Sequence, residues 1–377
     1  MARIAIVFRG IGDIGGTNNT IADHARQFEA LGHQVDLIGE RIEAGGLPDG
    51  TGRGVRIRRL PLLGRYKWRW FAGRSQQVVD RGHYDFVAGH GHNYAQTVLS
   101  MHNCLPRAHE LVHGTPIRAT RGLAEIHERI FAQSAFEACI CNSRLMQNEL
   151  AERYGVDRNR LPIVYPGYRP SQFNRADRAR YRDTVRQELG CGDAVLIGLV
   201  TSGDFAKRGL DILLEAYAQL PMAIRYKTRL LVLGKQGSSA TFASQAQQLG
   251  VAEHIHFVAH TREPQRYFHA LDICVHPARY EEFGQVVQEA MACGVPVVTT
   301  QRVGAAELLP GGWYDALAES PSAQWIADQL VQLVESPSRR AGLAEAGHAA
   351  VLRNTDQENF RQTLAIYRRA GLPGSSA

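Results

Sequence analysis

Two glutamates, Glu281 and Glu289, stand eight positions apart in "YEEFGQVVQEAMACGVPVVTT", with a Phe-Gly step between them. The run from Gly284 to Cys293, followed by Gly294 and Pro296, is punctuated as a short helix. Glycine suits the left-handed residue after the last turn, and proline stops the helix from continuing. Val286, Val287, Ala290 and Met291 share the side that must face a core, and Glu289 falls on another. Helical side chains lean toward the amino end, so the Glu289 carboxylate comes beside whatever that end holds. The first N–H groups there favour an anion, and Gly284 lets a phosphate approach the backbone. A carboxylate next to bound phosphate is explained if it grips vicinal hydroxyls of a sugar. Glu281, in the loop before the helix, would face a second sugar. The plainer alternative is a solvated helix acid and a surface turn at Glu281–Glu282.

Further along this line, Lys207 and Arg208 follow an apolar strand and precede a helix, where a departing diphosphate could be met by two positive charges. Two other constellations point elsewhere. Gly10-x-Gly12-x-x-Gly15, with Glu40 ending the next strand, is the dinucleotide fingerprint, and it makes an NAD(P)-dependent oxidoreductase the rival class. Its glycines continue to Gly16, and the helix is expected only near Thr17 to Thr20, a loop that suits a cleft wall better than a tight pyrophosphate turn. His90, His92 and His102 follow a strand and could begin a zinc hydrolase site. Supporting acids are not evident at later strand ends, and no Asp-x-Asp clamp occurs in the sequence.

"GRYKWRWFAGR", Gly64 to Arg74, interleaves Arg65, Lys67, Arg69 and Arg74 with Tyr66, Trp68, Trp70 and Phe71. Exposed, it would suit an anionic membrane surface or a phosphorylated glycan acceptor; buried, it is a helix packing on a sheet. No RNA-binding motif accompanies it, so nucleic acid is not expected as a partner.

The elements that must position these residues follow a strand-helix cadence. "RIAIVFRG", "QVDLIGE", "YDFVAGH" and "FEACICNS" read as strands, with helices such as "TIADHARQFEALGH" and "SRLMQNELAERYG" between or after them. "LPIVYPGYRP" breaks the pattern. After a basic segment, Arg175 to Arg186, it restarts through "AVLIGLVTSGDF", "RLLVLG", "IHFVAH" and "DICVHP". This is the pattern of parallel sheets with helices on both faces. The expected α/β architecture is two doubly wound domains joined near Pro166 and facing a cleft, since ligands lie outside the carboxyl ends of such strands.

The 377 residues, 44% hydrophobic and 21% charged, fit two globular domains and exclude disorder. No apolar run is long enough for a signal peptide or a membrane span. Six cysteines in apolar contexts without a CxxC pair read as reduced core thiols of a cytoplasmic protein. The net charge of +6 suits an anionic partner.

The "FG" step with "EAMACGVPVV" resembles the donor-site signature of retaining glycosyltransferases of the GT-B, family-4 type, and within them the lipopolysaccharide inner-core α-glucosyltransferases. "GDFAKRGLDILLEAYAQL" is similar to their phosphate-binding strand-loop-helix and "HNCLPRAHELVHG" to their N-domain substrate loop. The resemblance implies domains at 1–168 (acceptor side) and 169–355 (nucleotide sugar), with 356–377 returning as a helix to the first. It implies that Glu289 holds a ribose and Glu281 meets the donor sugar, with Gly203, Gly284, Gln285 and Val286 near sugar and diphosphate. Lys207 and Arg208 would stabilise the leaving group; relatives carry Arg-Lys-Gly where this chain has Lys-Arg-Gly. It also implies that Gly15 and Gly16 approach the donor phosphates and that His102 reaches the donor sugar, with His113 a lesser candidate. Relatives place an acid where this chain has Thr20, leaving Asp13 as a speculative substitute. The implied activity is transfer from a UDP-linked sugar, with no cofactor or metal, to a glycan or glycolipid acceptor in lipopolysaccharide or surface-polysaccharide assembly. It would occur in the cytoplasm, possible contact with the membrane's inner face included. A non-catalytic nucleotide-sugar-binding protein is the further alternative.

Overall fold

The computed structural model describes residues 1–11, 16–42, 53–59, 64, 66–117, 122–234 and 239–374. They divide into two compact units: Met1–Gly167 with Asp356–Ala377, and Tyr168–Thr355.

In the first unit six parallel strands run in the order Arg53–Arg56, Gln34–Gly39, Arg3–Val7, Phe86–Gly89, Val98–Ser100, Ala138–Ile140. The central strand is apolar at every position from Ile4 to Val7, and all four residues are buried. Parallel sheets covered on both faces demand such unbroken runs rather than alternation. The C-terminal helix Asp356–Arg369 belongs to this unit's core. Its Phe360 and Tyr367 meet Phe28 at ring-centroid distances of 5.0 and 5.5 Å, and Tyr367 also meets Phe86 at 4.6 Å.

The second unit holds five parallel strands in the order Ile255–Ala259, Thr228–Gly234, Val195–Val200, Ile273–His276, Val297–Thr299. Leu210, Leu213, Leu214 and Tyr217 of the helix Leu210–Ala218 pack on it together with Ile326, Leu330 and Leu333 of the helix Ala323–Glu335. In both sheets the strand order reverses beside the first strand. The loops leaving the two strands at that point diverge to opposite faces, and this opens a crevice at the carboxyl edge. Both folds are therefore doubly wound.

Several local expectations are corrected. The first helix, Gly16–Ala30, opens at the glycine and not at Thr17–Thr20. "HNCLPRAHELVHG" is loop only to Cys104; Leu105–His113 is a helix, started by Pro106 in its first turn, where a missing N–H costs nothing. The helix after Gly284 spans Gln285–Ala292, yet Val286 is only half-buried and Gln288 takes the interior place beside Val287, Ala290 and Met291. All six cysteines are free and buried. Among the described residues no helix is long and apolar enough to cross a membrane.

Candidate functional site

In the second unit the crevice lies between the strands Val195–Val200 and Ile273–His276, and the loops that leave them carry its charges. Thr201–Gly209 is shaped by its own side chains. Gly203 N–H donates to Thr201 Oγ1 (3.0 Å), and Ala206 and Lys207 N–H donate to Asp204 Oδ1 (2.7 and 3.2 Å). Gly209 closes the loop at φ +73, where a Cβ would stand 2.0 Å from the Pro277 carbonyl oxygen, so no larger residue fits. From the facing loop Arg279 fastens both parts. Its backbone N–H donates to Lys207 O (3.0 Å), and its guanidinium donates to Ala206 O (2.8 Å) and to both Asp211 carboxylate oxygens (2.8 and 2.5 Å).

The two cations therefore face the two glutamates. Lys207 Nζ donates to Glu282 Oε2 at 2.7 Å, and the Arg208 guanidinium is in direct ion contact with Glu281. Neither acid is a surface turn: Glu281 is 8% and Glu282 2% exposed. Burial alone would raise the Glu281 carboxyl, but Arg208, Lys207 and His276 together hold it down to about 2. Beneath the pair lies His276, the last residue of its strand, with Nε2 3.9 Å from Glu281 Oε2.

Gly284, at φ +90, lets the chain turn from this loop into the helix; a Cβ there would press on Glu281 and Val303 at 3.0 and 3.1 Å. No side chain caps this helix start, which leaves Gln285 and Val286 at an open amino end. Glu289 lies one turn further in, half-buried, and its carboxylate makes no hydrogen bond or ion pair among the described residues, while its carbonyl accepts from Cys293 N–H within the helix. Burial pushes its carboxyl up to about 7, against the opposing charge of Arg169. Two paired cations, an uncapped helix start and an unpartnered acid thus occupy one sheet edge, an arrangement able to take a diphosphate joined to a polyol.

At the corresponding crevice of the first unit, Arg9 donates twice to Glu40 (2.8 and 3.0 Å), lies over the Trp68 ring at 4.6 Å, and gives its backbone N–H to His92 Nδ1 (3.0 Å). Glu40, where the dinucleotide reading places its ribose acid, is thereby held by Arg9 through both oxygens. His90 Nδ1 and His102 Nε2 are 2.8 Å apart, sharing one proton. Burial pushes His102 down to about 4 and His90 and His92 well below their ordinary range, so these imidazoles are neutral near pH 7. Among the described residues no three His, Cys, Asp or Glu side chains gather as a metal-ligand set. His113 ends its helix, exposed and tilted against His109 at 4.4 Å.

Asp13, Gly15 and Arg65 lie outside the described residues; Gly16 opens the first helix. The basic-aromatic stretch forms the start of the helix Lys67–Arg81. Its aromatics are divided: Tyr66 is 44% exposed, and Trp68 and Trp70 are half-buried. Phe71 is buried, Trp68 meets His92 at 5.1 Å, and Trp70 Nε1 donates to Arg58 O (3.0 Å). Lys67 stays exposed, and Arg69 pairs with Glu125 at 2.5 Å. Sequence reasoning missed His276, Arg279 and the pairing role of Glu282. "HPARYEEFG" contains all three, but as a strand end and a loop they have no periodicity to mark them.

A family model described as Glycosyltransferase Family 4 matches residues 14–172, and one described as Glycosyl transferases group 1 matches residues 193–349. The lipopolysaccharide glucosyltransferase WaaG of Escherichia coli (strain K12) is 28% identical over 231 residues, which are 59% of this chain and 62% of that protein, less than two thirds of its length. The crystal structure of WaaG has a TM-score of 0.82 at 22% identity, covering 97% of this chain and 99% of that one. Anabaena Alr3699/HepE in complex with UDP-glucose has a TM-score of 0.77 at 19% identity, covering 98% and 100%.

Proposed function

The chain is a GT-B glycosyltransferase of the family-4 type, and on that premise we propose that it moves a hexose from a UDP-linked donor to a glycan or glycolipid acceptor. The transfer retains the anomeric configuration and needs no metal ion, because fixed side-chain cations do that work. The observation that carries this reading is the grouping at one sheet edge of Lys207, Arg208, an uncapped helix start and the unpartnered Glu289. That a solved structural neighbour is a complex with UDP-glucose supports the choice of nucleotide.

The diphosphate lies at Gly284, Gln285 and Val286, and Glu289 accepts hydrogen bonds from the ribose hydroxyls. Gly203, at the head of the cation loop, lets the phosphates approach. Lys207 and Arg208 turn from Glu282 and Glu281 to the phosphates as negative charge grows on the departing oxygen. The acceptor hydroxyl oxygen bonds to the anomeric carbon on the face from which the diphosphate leaves. The carbon–oxygen bond to phosphate breaks, and a phosphate oxygen takes the hydroxyl proton. Glu281, once released from Arg208, accepts hydrogen bonds from the donor sugar. The first unit takes the acceptor side, where the neutral His90–His102 pair offers a hydrogen bond to a sugar hydroxyl. The outward Lys67 and Arg69 suit a phosphorylated acceptor at an anionic membrane's inner face. Assembly of lipopolysaccharide or surface polysaccharide is the setting we assign.

Purified protein incubated with UDP-glucose should bind it and slowly release UDP and α-glucose, unchanged by EDTA, as read by proton NMR. Binding with no hydrolysis and no transfer to any glycan would identify a sensor instead. Failure of UDP and UDP-sugars to bind or to raise the melting temperature would sink the assignment.

A further inference from the structure

The ring of His276 has a place and no partner. It is 1% exposed, and neither ring nitrogen finds a hydrogen bond among the described residues. A buried imidazole left unsatisfied is costly, so its retention needs a reason. Its aim is fixed: its backbone pairs with Thr299 of the neighbouring strand, and Thr299 Oγ1 donates to its carbonyl at 3.0 Å. The ring points at Glu281, with Nε2 3.9 Å from Oε2, just beyond hydrogen-bond length. The space between them is bounded by Gly284, where a Cβ would stand 3.0 Å from Glu281 and 3.8 Å from His276 Nε2. A shift of under an ångström by the carboxylate would close the gap, and the ion pair with Arg208 holds it on the other side.

We propose that His276 is a positioning residue that takes over Glu281 when the donor's diphosphate draws Arg208 away. The inference rests on the donor reading above and deepens it. A buried carboxylate stripped of its cation would make donor binding expensive. An N–H from the imidazole, 3.9 Å away in the resting state, supplies the replacement partner and holds Glu281 toward the donor sugar. The exchange needs no proton transfer: neutral imidazole with its proton on Nε2 donates while Glu281 stays ionised. The other charges facing this ring are Arg208 and Lys207, both of which disfavour a positive imidazole. They therefore favour the neutral donor.

The experiment is a double-mutant cycle on UDP-glucose affinity, measured calorimetrically near pH 8. Against the native protein, His276→Phe should weaken UDP-glucose binding about tenfold to a hundredfold, the range for losing a hydrogen bond to a charged group. His276→Gln, which keeps an N–H donor, should recover most of it. In a Glu281→Gln background, where no charge is left uncompensated, His276→Phe should cost less than about twofold. Should His276→Phe not fold, His276→Leu carries the same comparison. A penalty equal in both backgrounds, or none in either, overturns the proposal while leaving the donor site standing. Native protein that ignores UDP-glucose overturns the donor reading itself.

Discussion

Raising the pH should tighten donor binding, and Glu289 should be the reason. Burial lifts its carboxyl from an ordinary 4.5 to about 7. Converted at the standard energy per tenfold change, keeping it ionised at neutral pH costs about 3 kcal/mol. The sign for the fold follows. A carboxyl with a raised value favours the folded state fully below pH 4.5, and that advantage is lost as pH climbs through about 7. The donor has the opposite interest, because ribose hydroxyls donate and only the ionised form accepts from both. Calorimetric titration with UDP-glucose from pH 5.5 to 8 tests this, since its diphosphate carries no proton that titrates there. The dissociation constant should fall by up to about tenfold per pH step below 7 and level off above it. In Glu289→Gln the slope should vanish, with affinity at pH 8 reduced about tenfold or more. A flat profile in the native protein, or the same slope in Glu289→Gln, would refute the reasoning, because the titrating group would lie elsewhere.

Removing one member of the buried pairs should separate folding from binding. In a His276→Phe background, Arg208→Ala strands Glu281 and should cost about 3 kcal/mol by urea denaturation, whereas adding Glu281→Gln should restore stability and leave UDP-glucose binding lost. Arg279→Ala breaks contacts to Ala206 and Asp211 without touching the donor; it should raise the dissociation constant about tenfold through a loosened loop, with Arg279→Lys no substitute for the bidentate grip. On acidification Glu281, held down to about 2 against an ordinary 4.5, should withdraw up to about 3 kcal/mol of stability between those values. Glu281→Gln should therefore flatten the acid limb of the stability–pH curve, read by circular dichroism.

The helix after Gly284 was legible because its signals are local. A glycine that must turn at positive φ, a closing Gly294 and a following proline act within a dozen residues, and the acid's place on the helix follows from period alone. The partners of the charged side chains were not legible. Lys207 and Glu282 meet only because two parallel strands, adjacent at the order reversal, both end at this crevice, and nothing in either segment records the pairing. Trp68 shows the same limit. As one residue in a basic-aromatic run it could face lipid, and it is turned inward by Arg9 and His92, from two distant strand ends. The half-buried Val286 departs from pattern for a physical reason too. It sits in the first turn at the open helix end, where the core-facing stripe has not yet reached protein.

The two crevices are built by one topological rule yet differ in what their cations can do. Arg9 is gripped by both oxygens of Glu40 and by the Trp68 face, so turning its guanidinium away would break three contacts at once. It behaves as structure. Lys207 has one carboxylate contact at the end of a flexible chain, and the Arg208–Glu281 contact has His276 waiting beside it. Buried ion pairs add little net stability over apolar side chains of the same volume. Two such pairs beside an uncapped helix start and the unpaired Glu289 carboxylate fit the donor site proposed above. Cations stored on weakly committed partners are available to an arriving anion without leaving bare charge in the resting protein, and that property belongs to the second unit's crevice and not to the first's.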